Sequence, residues 1–159
     1  MEDPKPVNEE EIITTMQVTL TPAGGGTPVI LKFFDPDGEH GDGIPVVTAS
    51  GPLAANSAYA GSISLLNETE TPAGDISAEV ADEANAHLFC FDVTGNVTIS
   101  YADTDATGLP LGLSTSWVTG NAGQAQVVVT LRHQPGTKTG ECPGSGDTDA
   151  EVMFPLSIE

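Results

Sequence analysis

The sequence predicts an all-β protein: an antiparallel β-sandwich of eight or nine strands, immunoglobulin-like, with one short inserted α-helix. Three observations support this fold class. Apolar and polar residues alternate along most of the chain, β-branched residues are frequent in these runs, and turn-forming residues (18 Gly and 12 Pro in 159 residues) separate them. An antiparallel barrel is the alternative arrangement of the same strands.

The first half of the chain contains four predicted strands. Residues 12–22 (IITTMQVTLTP) are rich in β-branched side chains, and the glycine run at 23–26 permits a tight reversal into a second strand at 27–34. Residues 46–50 and 58–69 show the same pattern and are interpreted as the third and fourth strands.

The alternation stops at residues 74–86 (GDISAEVADEANA), where apolar residues recur at every fourth position from Ile76 to Ala84. This spacing predicts a short amphipathic helix. Asp75 or Ser77 is expected to cap its N-terminus, because both side chains accept hydrogen bonds from backbone N–H groups.

Five further strands are predicted after the helix. They lie at residues 87–93, 97–103, 111–120, 124–133 and 150–158. Pro155 favours an edge position for the last strand, since a proline nitrogen donates no hydrogen bond. Trp117, the one tryptophan, is expected in the core between the sheets. Residues 12–159 are predicted to form a single domain, preceded by a disordered acidic tether at residues 1–11.

The charge of the chain is strongly negative. Four lysines and arginines oppose 23 acids, which gives a net charge of −19. Nucleic acid and anionic lipid surfaces repel such a chain, so both are excluded as partners. Two interpretations remain open: a surface kept soluble by repulsion, or a surface that attracts cations. No apolar run approaches the roughly 20 residues that span a bilayer.

Several stretches resemble a known family. They are residues 8–38 (NEEEIITTMQVTLTPAGGGTPVILKFFDPDG), 65–87 (LLNETETPAGDISAEVADEANAH), 101–113 (YADTDATGLPLGL) and 129–135 (VTLRHQP). Together they resemble an uncharacterised family of lipoproteins from Bacteroidota and related phyla, whose members are often labelled as type 1 periplasmic-binding folds. The resemblance implies a secreted, lipidated precursor, an outer-membrane-anchored location in the cell envelope, contact with the membrane only through the lipid anchor, and association with an outer-membrane transporter. It supplies no catalytic residues. The label conflicts with the strand pattern, because a periplasmic-binding fold needs alternating strands and helices in a longer chain.

A metal site is predicted at one end of the sandwich. Four strands joined by short connections run up and down between His87 and His133, so both histidines are expected at the same end. The helix arrives there with Glu79, Asp82 and Glu83. Imidazoles beside carboxylates suit zinc or copper. The alternative is that each histidine ends a strand and hydrogen-bonds to backbone or to a carboxylate.

A calcium site is the second candidate. The segment DPDGEHGDG places four acids on a glycine-rich loop: Asp35, Asp37, Glu39 and Asp42. Hard oxygen ligands at alternate positions suit calcium, but His40 occupies the sixth position, where an EF-hand requires glycine. An ordinary turn is the alternative, and the same applies to the weaker candidate at residues 103–107.

The two cysteines predict a disulfide. Cys90 is the fourth residue of its strand, roughly 10 Å from the end of the sheet, and Cys142 lies in a flexible loop leaving that end. An oxidising envelope would permit the bond. A buried free Cys90 is the alternative.

No catalytic arrangement is indicated. GECPG (140–144) imitates a nucleophile elbow, but its flanks are loop rather than strand and helix. We therefore predict a non-enzymatic module of the cell envelope that acts as an accessory ligand-binding or interaction domain, with a metal ion as one candidate ligand. The alternative is a structural or adhesive surface domain with a calcium-stiffened loop.

Overall fold

The chain forms two antiparallel β-sheets with one short helix, as the sequence predicts. The computed structural model describes residues 12–38 and 42–159. The predicted tether at residues 1–11 lies outside the described residues. The two sheets are separate, so the sandwich is confirmed and the barrel alternative is wrong for the described part of the chain.

Ten strands and one α-helix follow each other along the described chain. The strands are β1 (Thr15–Pro22), β2 (Val29–Phe34), β3 (Val46–Ala49), β4 (Ala58–Asn67), β5 (Gly74–Asp75), β6 (His87–Thr94), β7 (Val97–Tyr101), β8 (Ser114–Thr119), β9 (Gly123–His133) and β10 (Asp147–Ile158). The helix α1 spans Ile76–Asp82, and a 3-10 turn follows at Ala84–Ala86. All nine predicted strands are present. The sequence missed β5, because its two residues are too short to show a period.

The larger sheet has the order β3-β2-β1-β4-β8-β7, with β5 paired to β4, and the smaller sheet has the order β10-β9-β6. Strand β10 is therefore an edge strand, as Pro155 predicts. No helix among the described residues is long and apolar enough to cross a bilayer.

The core lies between the two sheets and is built from alternate residues of each strand. Strand β4 shows this most clearly, because its side chains are alternately exposed and buried along its first six residues. Trp117 is fully buried, as predicted, and its indole N–H donates to Thr115 Oγ1 at 2.8 Å. That hydrogen bond satisfies the one polar group that the tryptophan brings into the core.

Gly61 in β4 provides the space that Trp117 occupies. A Cβ at this position would lie 2.5 Å from Thr115 Oγ1 and 2.8 Å from Trp117 Nε1. We expect Gly61→Ala to lower the free energy of unfolding by about 1–3 kcal/mol through overpacking, as measured by denaturant titration. The matched control is Gly51→Ala, since a Cβ there meets nothing within 4 Å. Equal stability of the two variants would show that the core yields freely at Gly61.

The chain changes sheet twice between residues 87 and 133, which corrects one step of the sequence analysis. We expected the four strands of this segment to be neighbours in one sheet. Instead β6 pairs with β9 in the smaller sheet, and β7 pairs with β8 in the larger one. Short connections place the ends of strands close together, but they do not decide which sheet each strand joins.

The outer edge of β6 is closed by other groups in place of β7. Phe89 N–H donates to Leu111 O at 2.8 Å, and Tyr101 Oη donates to Phe89 O at 2.6 Å. The close approach needs Gly112, whose φ is +104° and where a Cβ would lie 2.6 Å from Phe89 Cβ. These bonds satisfy the backbone N–H and C=O of Phe89 without a neighbouring strand on this side.

The helix α1 begins where the sequence predicts. Asp75 is its N-cap and accepts from Ala78 N–H at 3.1 Å. Ser77 Oγ also donates to Asp75, and these bonds together hold the pKa of Asp75 below its usual range. Ile76 and Val80 are buried against the sandwich, which fixes the helix beside the start of β6.

Candidate functional site

His87 and His133 lie side by side at one end of the smaller sheet. They are direct partners in the register of β6 and β9. Their rings stack with centroids 4.8 Å apart and planes inclined by 17°. The two residues thus lie at the same end of the molecule. They meet because β6 pairs directly with β9, and not because four successive strands are neighbours in one sheet.

The ring of His87 is buried and held between two acceptors. Its Nδ1 donates to Glu83 O at 3.1 Å, and its Nε2 lies 3.7 Å from Asp149 Oδ2. Burial alone lowers the pKa of His87, but the Asp149 carboxylate and the Glu83 carbonyl outweigh it and raise the pKa above its ordinary value. Asp149 was not singled out from the sequence; it sits at a β-bulge between Thr148 and Ala150, which no sequence period reveals.

The stacked rings do not converge on one point. Imidazole binds a metal through a lone pair in the plane of the ring, and one ion cannot lie close to both nitrogens in two nearly parallel, separated planes. Glu79 is exposed on α1. Among the described residues, no group of three or more His, Cys, Asp or Glu side chains is placed to hold a metal ion. The described residues therefore show no set of ligands for zinc or copper, and this site stays a prediction.

A cleft of about 640 Å³ opens at the same end of the sandwich. Three segments surround it: residues 81–86 from the end of the helix onward, residues 104–106 before β8, and residues at 133–136 from the end of β9 onward. Asp82, Glu83 and His133 line the cleft, whereas Glu79 and His87 do not. Three of the five residues predicted as zinc or copper ligands therefore surround one cavity.

The cleft combines carboxylates with small apolar side chains. Asp82 and Glu83 are exposed at its border, and four alanines and one proline form much of its wall: Ala81, Ala84, Ala86, Ala106 and Pro135. No lysine or arginine belongs to the described lining. The cavity therefore offers negative charge next to apolar surface.

A buried ion pair joins two of the segments around the cleft. Lys138 Nζ donates to Asp105 Oδ2 at 2.8 Å and to Ala84 O at 3.0 Å, and the two side chains are 2% and 1% exposed. Asp105 Oδ1 accepts from the N–H of Thr107 and of Leu109 at 2.8 and 3.0 Å. Burial raises the pKa of Asp105, but the bond from Lys138 and those from the backbone dominate and hold it far below its usual range. Asp105 is therefore a structural anion, and the weaker calcium candidate at residues 103–107 stays a prediction.

The disulfide ties the third segment to β6. Cys90 and Cys142 are bonded, with Cα atoms 5.8 Å apart. The loop between β9 and β10 is held from inside as well, because the buried amide of Gln134 donates to Pro143 O and to Ser145 O at 3.0 and 2.7 Å. The wall of the cleft that follows His133 is thus fixed by covalent and hydrogen bonds.

The acids of the predicted calcium loop are only partly described. Asp37 accepts from Gly43 N–H, Asp35 is buried, and Asp42 is exposed. Glu39 lies outside the described residues, so its use as a calcium ligand stays a prediction.

Comparison with known proteins returns no relative of this chain. No family model, no curated protein and no solved structure matches it. No relative therefore supplies a ligand, a partner or a catalytic residue, and the function has to be inferred from the site itself. The resemblance to envelope lipoproteins stays a prediction.

Proposed function

We propose that this protein is a non-enzymatic accessory module of the cell envelope that binds a cationic ligand in the cleft beside His133. The observation that carries the proposal is the pairing of two exposed carboxylates with an apolar wall in one cavity. An organic cation with a short hydrocarbon chain, such as an alkyl amine or a guanidinium compound, matches both parts of this lining. The acidic composition is compatible with any cationic ligand, whereas the apolar wall of the cleft favours an organic cation.

The electrostatics favour a cation. The net charge of −19 produces a negative potential around the whole molecule, which raises the local concentration of cations and speeds their encounter with the site. Of the acids around the cleft, Asp105 is neutralised by Lys138, whereas Asp82 and Glu83 have no such ion pair among the described contacts. These two side chains are therefore the expected partners of the ligand's positive charge.

The rigidity of the walls supports binding rather than catalysis. The ion pair and the disulfide hold the segments around the cleft in place before any ligand arrives, which reduces the entropy lost on binding. His133 stacks on His87 at the cleft, and its ring face is committed to that contact. The lining contains no serine or cysteine nucleophile among the described residues.

The location follows from the resemblance rather than from the cleft. The likeness to envelope lipoproteins supports an outer-membrane lipid anchor and a place beside an outer-membrane transporter, to which the bound ligand would be delivered. The disulfide supports an oxidising compartment, because such bonds persist outside the reducing cytosol.

Calorimetric titration at low ionic strength tests the proposal. Putrescine and agmatine serve as cationic probes, and succinate serves as an anion of similar length. We expect saturable binding of a cation and none of succinate. The variant Asp82→Asn with Glu83→Gln should weaken the binding about fivefold, because each exposed ion pair contributes only a fraction of a kcal/mol to about 1 kcal/mol.

Two controls separate this site from a general effect of charge. Glu79→Gln removes one exposed acid of the neighbouring helix that does not line the cleft, and it should leave the affinity unchanged. Zinc and copper are titrated in parallel against wild type and His133→Ala. If neither organic cation binds, or if Glu79→Gln weakens binding as much as the double variant, the cleft is not the site; zinc or copper binding that His133→Ala abolishes would support the metal hypothesis instead.

A further inference from the structure

The loop that follows β2 contains a buried carboxylate with an unsatisfied oxygen. Asp35 is 8% exposed, and its backbone is fixed on both sides, because its N–H donates to Thr14 O at 2.7 Å and its carbonyl accepts from Gly38 N–H at 3.3 Å. No hydrogen-bond donor among the described residues reaches Asp35 Oδ1. A buried carboxylate oxygen without a donor is costly, and native proteins rarely leave one without a compensating partner.

A second carboxylate interacts with it. Asp37 lies within hydrogen-bonding reach of Asp35, and Gly43 N–H donates to Asp37 Oδ1 and Oδ2 at 3.0 and 2.8 Å. Burial and then the adjacent Asp37 carboxyl raise the pKa of Asp35, whereas the N–H of Gly43 above all lowers the pKa of Asp37. Two carboxyl groups in contact are stable only when a proton or a cation lies between them.

We propose that Asp35 and Asp37 together bind one calcium ion through their neighbouring carboxylates. Asp35 and Asp37 themselves offer only carboxylate oxygens as ligands. Oxygen-only donor sets select hard cations over zinc and copper. Calcium is favoured over magnesium, because it accepts irregular geometry and completes its coordination with water and main-chain carbonyls.

This site rests on different residues from the cleft, so each proposal stands or fails without the other. It differs from the acid cluster seen in the sequence in one respect: one carboxylate of the pair is buried and has an oxygen without a donor, whereas exposed acids on a turn need no ion. With only two carboxylates, the dissociation constant is expected in the range of about 10⁻⁴–10⁻³ M that is typical of extracellular modules.

Thermal unfolding in the presence of calcium tests the proposal. At about 10 mM CaCl₂ and pH 7, we expect the Tm of the wild type to rise by about 3–6 °C over NaCl of equal ionic strength. The comparison at equal ionic strength is essential, since any salt screens the repulsion within a chain of net charge −19. Magnesium at the same concentration should give less than half of this rise. Calorimetric titration should give one calcium ion per chain.

Three variants locate the ion. Asp35→Asn and Asp37→Asn should each abolish the calcium-specific rise, and Asp35→Asn is expected to fold because it removes the repulsion within the pair. Asp92→Asn removes an exposed acid on β6 and should keep the full rise. If calcium stabilises the wild type no more than magnesium or NaCl, or if Asp35→Asn responds to calcium as the wild type does, the proposal is overturned. A proton shared by the pair would give the first of these results together with a higher Tm for Asp35→Asn.

Discussion

Lys138→Met will lower the free energy of unfolding at pH 7 by about 3–5 kcal/mol, the largest single-site effect expected for this chain. The change removes the ammonium group that lies 2.8 Å from Asp105 Oδ2 and leaves a carboxylate that is 1% exposed. An uncompensated charge in such a place has no water to replace its lost partner. Denaturant unfolding at pH 7 gives the measurement, with Lys32→Met, which removes a half-buried lysine of β2, as the control.

The double variant separates charge from packing. Lys138→Met combined with Asp105→Asn should recover at least half of the loss, because neither buried charge then remains. The pH dependence gives a second check. The pKa of Asp105 is depressed below its ordinary value of 3.8, so its contribution is present above about pH 4 and is lost as the pH falls further. Loss of stability in the double variant equal to that of Lys138→Met would show that packing, not charge, is responsible.

Removal of the disulfide is the second large effect. Replacing Cys90 with alanine and Cys142 with serine should lower the free energy of unfolding by about 4 kcal/mol, because the bond closes a loop between residues 52 positions apart in the unfolded chain. Reductant should destabilise the wild type by a similar amount and should leave the double variant unchanged. A double variant within about 1 kcal/mol of the wild type would mean that the loop is held chiefly by the hydrogen bonds of Gln134.

The fold could be predicted from the sequence because strands such as β4 have one face in the core and the other face in solvent. Strand β4 alternates buried and exposed residues at the period of two that a half-buried strand imposes, and α1 shows its four-residue spacing equally plainly. The pairing of β6 was not accessible. Its first four residues are all buried, so its pattern carries no information on which neighbour it takes.

The candidate site was predictable only in outline. Chain direction alone puts the residues after α1 and after β9 at one end of the sandwich, and Asp82, Glu83 and His133 do line one cleft there. The ion pair below that cleft was missed, because Lys138 and Asp105 are 33 residues apart and follow no local period. No signal in the sequence marks Lys138 for burial, because lysine side chains are mostly exposed.

The position of β1 has a mechanical consequence. The first strand of the domain is flanked by β2 on one side and β4 on the other, with six and eight residues in register, respectively. A pulling force directed along β1 from its N-terminal end therefore loads both ladders in shear, and their hydrogen bonds must yield together rather than one after another. A strand at the edge of the sheet has only one such ladder to hold it against the same force. The tether proposed ahead of Thr15 would thus be joined to a central strand that is hydrogen-bonded on both sides.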